Sequence, residues 1–404
     1  MRTKVLNYSI PFLLAFLVQT GLFAQNHFWT LPDQYKDFSN FQPPQSLPTP
    51  NQNQGDLEYD GSVAQHAHNA IASPNGDLLF FVVDNAAYDP DGWLMYKFVD
   101  SEGDWVSGNS EICIVPDPAS CGEQFYIFMA NSEIDNVYNY PYCTQLDLSA
   151  QSLVFEEDPT KKGAPVYGGY DTENITRLDE LVNFEGVNNN SLDFDVMTHE
   201  GFAFAASPPL SDGSSHLVLF SFGSQIFRIL VDETGLHAIN PPIEVDDVFP
   251  SYTSQEGYGK SELELCPLSN GNFRVGITYP GANNKVVAAF DIDENGDQVL
   301  GTSYAYPLVE SSSNVPHVKG LEFSENGRYL YFTHHETNDN PDVIQYLDMD
   351  LSTTGTLNVA NDNAFEYSQI ELGINGKLYF AYANGLASLQ DSNNPSSTWN
   401  PSDI

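Results

Sequence analysis

An all-β ring of radially packed sheets, a β-propeller, is the fold class this sequence predicts. Seven four-stranded antiparallel blades is the best count, with six or eight as alternatives. Three observations carry the prediction. Short stretches in which apolar and polar residues alternate recur along the chain, the period of half-buried strands. Asn-Gly repeatedly stands between two such stretches, and both residues tolerate the positive φ of a tight hairpin turn. The copies recur at roughly 40–50 residues, the length of four short strands with their turns.

The clearest copy begins at Val318. Leu321 and Phe323 alternate with Glu322 and Ser324, Asn326-Gly327 turns the chain, and Tyr329 to Thr333 is the return strand. A polar breaker follows from His334 to Pro341. Val343 to Asp348 reads as a third strand, and Thr354-Gly355 leads to a short fourth. The turn asparagines stand at 75, 270, 326 and 375. The last two gaps are 56 and 49 residues, and the first is 195, close to four such periods. Three blades are therefore expected between Asn75 and Asn270. The first runs through Gln124 and Tyr142. The other two, between Pro165 and Val248, keep only His216 to Phe222 and Gln225 to Val231 as clear strands.

Four runs carry a family resemblance: H-N-A-I-A-S-P-N-G-D-L-L-F-F-V-V-D from His68, I-C-I-V-P-D-P from Ile112, G-L-E-F-S-E-N-G-R-Y-L-Y-F-T from Gly320, and Q-I-E-L-G-I-N-G-K-L-Y-F-A from Gln369. From about Ser62 to Asp391 the chain resembles the amino-terminal propeller of secreted Bacteroidota proteins. In that group the propeller often precedes PKD-like modules and a sorting domain of the type IX secretion system. The resemblance implies fold and export; it brings no catalytic motif to transfer.

Composition narrows the partners. The chain of 404 residues has 14 Lys and Arg against 55 Asp and Glu, a formal charge of −41. Such a field repels nucleic acid and anionic lipid, and it favours solubility, cations and basic partners. At the amino terminus, Arg2 and Lys4 precede an apolar run from Ile10 to Phe23, and Ala24 offers a small-residue cleavage position. Residues 1–24 thus read as a signal peptide, with a secreted or cell-surface mature chain that does not insert in the membrane. Residues 25–61, rich in Pro, Gln and Asn, read as an extended lead-in expected to close the ring by completing the blade that begins near Gln369. Residues 62–391 form the propeller and 392–404 a tail.

Few residues suggest chemistry. Cys113 and Cys121 flank V-P-D-P-A-S and are the expected disulfide, since export permits one; Cys143 and Cys266 either pair or stay buried. His66 and His68 would share one side of a strand, a usable metal geometry, with loop histidines as the plain alternative. His334-His335-Glu336 sits where a strand leaves its blade. Asp291, Asp293, Asn295 and Asp297 resemble the start of a calcium loop, but position twelve is Thr302 where a bidentate Glu belongs, and a hairpin turn is expected there anyway. Calcium is thus the one candidate ion, and no other cofactor is expected. Gly257 to Ser261 lacks full phosphate-loop spacing, and no strained nucleophile turn appears. Tyr167, Tyr170, Tyr252, Tyr258 and Tyr279 offer flat faces for a ligand.

The expected function is a binding or display module without catalytic activity, presenting loops to a glycan or protein ligand. Two alternatives stand beside it: an enzyme acting on extracellular polysaccharide through face carboxylates or a metal, and a self-associating structural subunit.

Overall fold

The computed structural model describes residues 28–401 except 32–33, 39–43, 51–56, 65–66, 74, 99–111, 131–140, 152–161, 166–174, 183–202, 223–224, 250–261, 281–284, 308–317, 335–342, 358, 360–368 and 383–384. Seven antiparallel sheets fill them, with two single-turn helices between. Sheet one has three short strands, Phe28–Leu31, Gln34–Asp37 and Gln45–Ser46. Sheets two (residues 68–97), four (203–244), five (263–307), six (318–356) and seven (370–400) each have four strands in chain order. Sheet three (113–177) has five, because Lys162–Pro165 and Ile175–Arg177 both pair with the long third strand Pro141–Gln151.

The Asn-Gly turns do what their chemistry allows. Gly76, Gly271, Gly327 and Gly376 have φ of 86°, 86°, 69° and 75°. Each glycine N–H donates to the carbonyl three residues back, on Ser73, Leu268, Ser324 and Gly373. Every such turn joins the first strand of a sheet to the second.

Second strands are apolar on both faces because each sheet is packed between two others. Phe80 and Phe81 are adjacent, point to opposite faces, and are both fully buried. Phe80 packs toward sheet three and Phe81 toward sheet one. Tyr331 and Phe332 repeat this, facing sheets seven and five. Each such ring contributes about 2–3 kcal/mol of burial as an upper bound.

These packed faces close the ring. Among the described residues, seven apolar clusters lie one at each boundary between consecutive sheets. The seventh joins the two ends of the chain, Trp29 and Phe38 against Tyr379 and Leu386. Phe38 stacks on Tyr379 with centroids 4.6 Å apart.

Three expectations change. The segment before residue 62 builds sheet one rather than adding a strand to sheet seven. Among the described residues, two sheets rather than three occupy the long interval from 75 to 270, because sheet three is unusually long and the period is not uniform. Trp399–Asn400 is the outer strand of sheet seven, so the expected tail takes part in the fold.

Candidate functional site

In a four-stranded meander the first and third turns lie at the same end of the sheet. At that end, between sheets five and six, is a cleft of about 390 Å³. Leu268, Ser269 and Asn270 from the first turn of sheet five line one side. Asn326 and Arg328 from the first turn of sheet six, with Asp350 from its third, line the other. Arg274 and Asp291 form part of the lining between them.

Strand register places the arginines. Arg274 and Asp291 are cross-strand partners on Phe273–Pro280 and Lys285–Ile292. Nε and Nη2 of Arg274 donate to the two Asp291 oxygens at 2.7 and 3.1 Å, a bidentate pair. Nη1 donates at 2.7 Å to the Gly327 carbonyl of the next sheet, and the guanidinium lies over the Tyr304 ring at 5.7 Å. Sheet six repeats the device. Arg328 donates from Nε and Nη2 to Asp348 at 3.1 and 2.8 Å, approaches Asp350 at 3.2 Å, and lies over Tyr329 at 4.9 Å. The Arg328 guanidinium, helped by the N–H groups of Leu351 and Asp350, holds the Asp348 carboxyl below the usual carboxylate value. Gln124 and Asp147 occupy the corresponding positions in sheet three, joined at 3.0 Å.

Further bonds tie neighbouring sheets. Arg228 of sheet four donates through Nη1 to the Gly296 carbonyl and to Asp297 of sheet five, at 2.7 and 2.8 Å. The Tyr331 hydroxyl donates at 2.8 Å to the Ser392 carbonyl, and Asn393 Oδ1 accepts the Asn326 N–H at 3.0 Å. On the inner strands, Asn69 uses its amide to reach the Ile112 carbonyl of sheet three. Glu322 accepts the Leu372 N–H of sheet seven at 3.2 Å. Polar groups on inner strands therefore act as ties between sheets.

The residues singled out from sequence do not converge. His66, His335, Glu336 and Tyr167, Tyr170, Tyr252 and Tyr258 lie outside the described residues. His68 joins the boundary of sheets one and two, its Nδ1 2.7 Å from the Thr30 hydroxyl, and burial pushes its imidazole down to about 4. The four acidic-loop residues are otherwise engaged. Asp291 holds Arg274, and Asp297 holds Arg228. Asp293 accepts the N–H groups of Asn295 and Asp297 at 2.9 Å each, a turn held by its own side chain, and the Asn295 amide donates to the same carboxylate. This arrangement does not fit a calcium ion. Among the described residues, no group of three or more His, Cys, Asp or Glu is placed to hold a metal.

The expected Cys113–Cys121 bond is not formed. Cys113 is in the core between sheets three and four, and Cys121 sits in an exposed turn past the strand end. Cys113 and Cys143 both register opposite Phe128, so a whole strand separates them, about 10 Å and beyond disulfide reach. Burial raises the Cys143 thiol well above its ordinary value and pushes Cys266 up to about 12.

Arg274, Arg328 and Asp350 were not singled out from sequence. Their only signal is an arginine within four residues of an Asn-Gly pair, at N-G-N-F-R and N-G-R.

No family model matches the sequence, and no curated protein does either. Solved structures do. The Dos1 propeller is 14% identical over 94% of this chain and 79% of its own, with a TM-score of 0.43. A Lactobacillus plantarum protein is 9% identical over 95% of each chain, TM-score 0.47. The Penicillium chrysogenum α-L-arabinanase complexed with arabinobiose is 11% identical over 88% of this chain and 94% of its own, TM-score 0.40. Likenesses this distant carry no chemistry to this chain.

Proposed function

We propose that this chain is an exported ring that binds and displays a glycan or protein ligand without transforming it. The observation that supports this reading most is the cleft between sheets five and six. Its arginines are fixed by bidentate carboxylates and by tyrosine rings, and it lies on a rim tied from sheet to sheet. Pre-oriented polar groups on a rigid frame lower the cost of binding. Export rests on the pattern of residues 1–24, with a place among secreted Bacteroidota surface proteins on the resemblance from Ser62 to Asp391.

The test uses the mature chain on a glycan array, together with a reducing-sugar release assay on each polysaccharide it retains. Retention without release is expected. Release of reducing ends would replace this reading with that of a polysaccharide-acting enzyme. Light scattering that gave only large assemblies would favour a structural subunit. Amino-terminal sequencing of the cell-exported form should begin at Gln25; a retained Met1 would overturn export by cleavage.

A further inference from the structure

The binding reading leaves open where the ligand sits and what it is made of. The cleft answers both through its donors, its acceptors and its charge.

A guanidinium has five N–H donors. Arg274 uses three of them, two on Asp291 and one on the Gly327 carbonyl. Arg328 uses Nε and one N–H of Nη2, and its Nη1 makes no bond in the structure. Two and three N–H groups respectively are left for water or a ligand. Neither head group is loose, since each is clamped by a carboxylate on its edge and a tyrosine on its face. Asp350 supplies the opposite function. Its side chain is 64% exposed and one oxygen meets Arg328 at 3.2 Å, which leaves the other as a free acceptor. Ser269 and Asn270 add groups that can both give and take a hydrogen bond.

The charge decides the class. Among the lining residues, Arg274 and Arg328 are balanced by Asp291 and Asp350. With Asp348 paired to Arg328 behind the lining, the cleft has no net positive charge to reward an anion, and the whole chain, at −41, repels one at longer range. A cation would have to approach two fixed guanidinium groups. What the cleft matches is an uncharged ligand whose neighbouring groups each donate and accept, as the hydroxyls of a sugar do. A peptide fits less well, because peptide recognition uses apolar pockets for alternate side chains, and Leu268 is the single apolar residue lining the cleft.

We propose that the cleft between sheets five and six is the glycan site of this ring and takes a neutral sugar. One hydroxyl donates to the Asp350 carboxylate while its neighbour accepts from Arg328, with Arg274 and Asn270 reaching the adjoining unit. This rests on the binding reading above and deepens it.

The experiment is isothermal titration of the mature chain with neutral gluco-, manno-, xylo- and galacto-oligosaccharides and with oligouronates of equal length, at low and high salt. Variants Asp350→Asn and Arg328→Lys are run in parallel, with melting curves to show that they fold. At least one neutral series should bind, with little dependence on salt. Each variant should weaken it by about tenfold to a hundredfold, the worth of one charge-assisted hydrogen bond. Unchanged affinity in both folded variants would overturn the cleft as the site while leaving the binding reading in place. Preferential, salt-sensitive oligouronate binding lost in the same variants would overturn the neutral-sugar assignment. If none of these sugars binds while the array retains a protein ligand, the inference fails and the module reading survives; failure of both assays sinks both.

Discussion

A single asparagine side chain separates one hairpin from its three counterparts. Asn270, Asn326 and Asn375 each accept, through Oδ1, the N–H two residues on, at 3.1, 2.9 and 3.2 Å. Asn375 is further held by its amide, which donates to the Tyr379 hydroxyl at 2.9 Å. At the remaining turn the Ser73 hydroxyl takes over, accepting the N–H groups of Asn75 and Asp77. The exposed Asn75 amide makes no hydrogen bond in the structure, so it is the one free to swing onto the Gly76 nitrogen, close a succinimide and release ammonia. Asparagine is among the heat-labile residues for this reason. Peptide mapping after prolonged mildly alkaline incubation should show aspartate and isoaspartate at 75 first and at 375 last; simultaneous conversion would refute the ranking. A buried pair gives a second test. Arg274 and Asp291 are largely shielded, with side chains 13% and 7% exposed. Arg274→Met strands a carboxylate and the Gly327 carbonyl, and should cost about 3–5 kcal/mol in urea unfolding. Arg274→Met with Asp291→Leu should recover much of it. The Asn-Gly pairs were legible as turns because their chemistry is local. Which side chain each amide bonds was not, since Ser73 and Tyr379 decide it.

At the scale of the sheet, close approach depends on what is missing. A Cβ on Gly276 would lie 2.9 Å from Phe323 Cε2 and 3.1 Å from Leu330 Cδ1, both on sheet six. The glycine lets sheets five and six meet directly above the cleft's arginines. Gly276→Val should lower stability by about 1–3 kcal/mol through overpacking, read as an earlier melt; a wild-type melt would mean the sheets slide apart freely. Sheets two, five, six and seven were legible because a first strand, an Asn-Gly turn and an apolar second strand follow one another in each. Sheet four marks its turn with Asp212-Gly213 instead, and Asp212 caps it by accepting the N–H groups of Ser214 and Ser215. Sheet one was hidden: strands of four, four and two residues among prolines are too short to show alternation. The cleft could not be read at all, because its two sides are 56 residues apart at Asn270 and Asn326 and meet only through sheet packing.

The whole molecule responds to pH through two buried histidines. His68, between sheets one and two, and His216, bonded to the Ser207 carbonyl, both have imidazoles pushed down by burial. In the unfolded chain they take a proton near pH 6.5. The unfolded chain therefore binds protons first. Stability is complete above that value and falls as pH drops toward about 4, where folded His68 is protonated too. His68 alone should account for about 2–3 kcal/mol of the fall. Melting temperature recorded from pH 7 to 4 should slope downward, and His68→Asn should flatten the slope; an unaltered slope would place its origin elsewhere. Asp212, Asp232 and Asp348, held low mainly by their bonds to Ser215, Thr234 and Arg328, add a further decline below the ordinary carboxylate value.

Among the described residues, no strand ladder crosses between sheets, and sheet one is built from residues 28–46 as sheet seven is from residues 370–400. Every neighbour relation around the circle is thus made through side chains, packed against the next sheet or bonded to its backbone. Such a polymer has no privileged origin. Splicing its two ends together and reopening it between sheets four and five would preserve every rung of every ladder, and the circularly permuted product should adopt the same architecture.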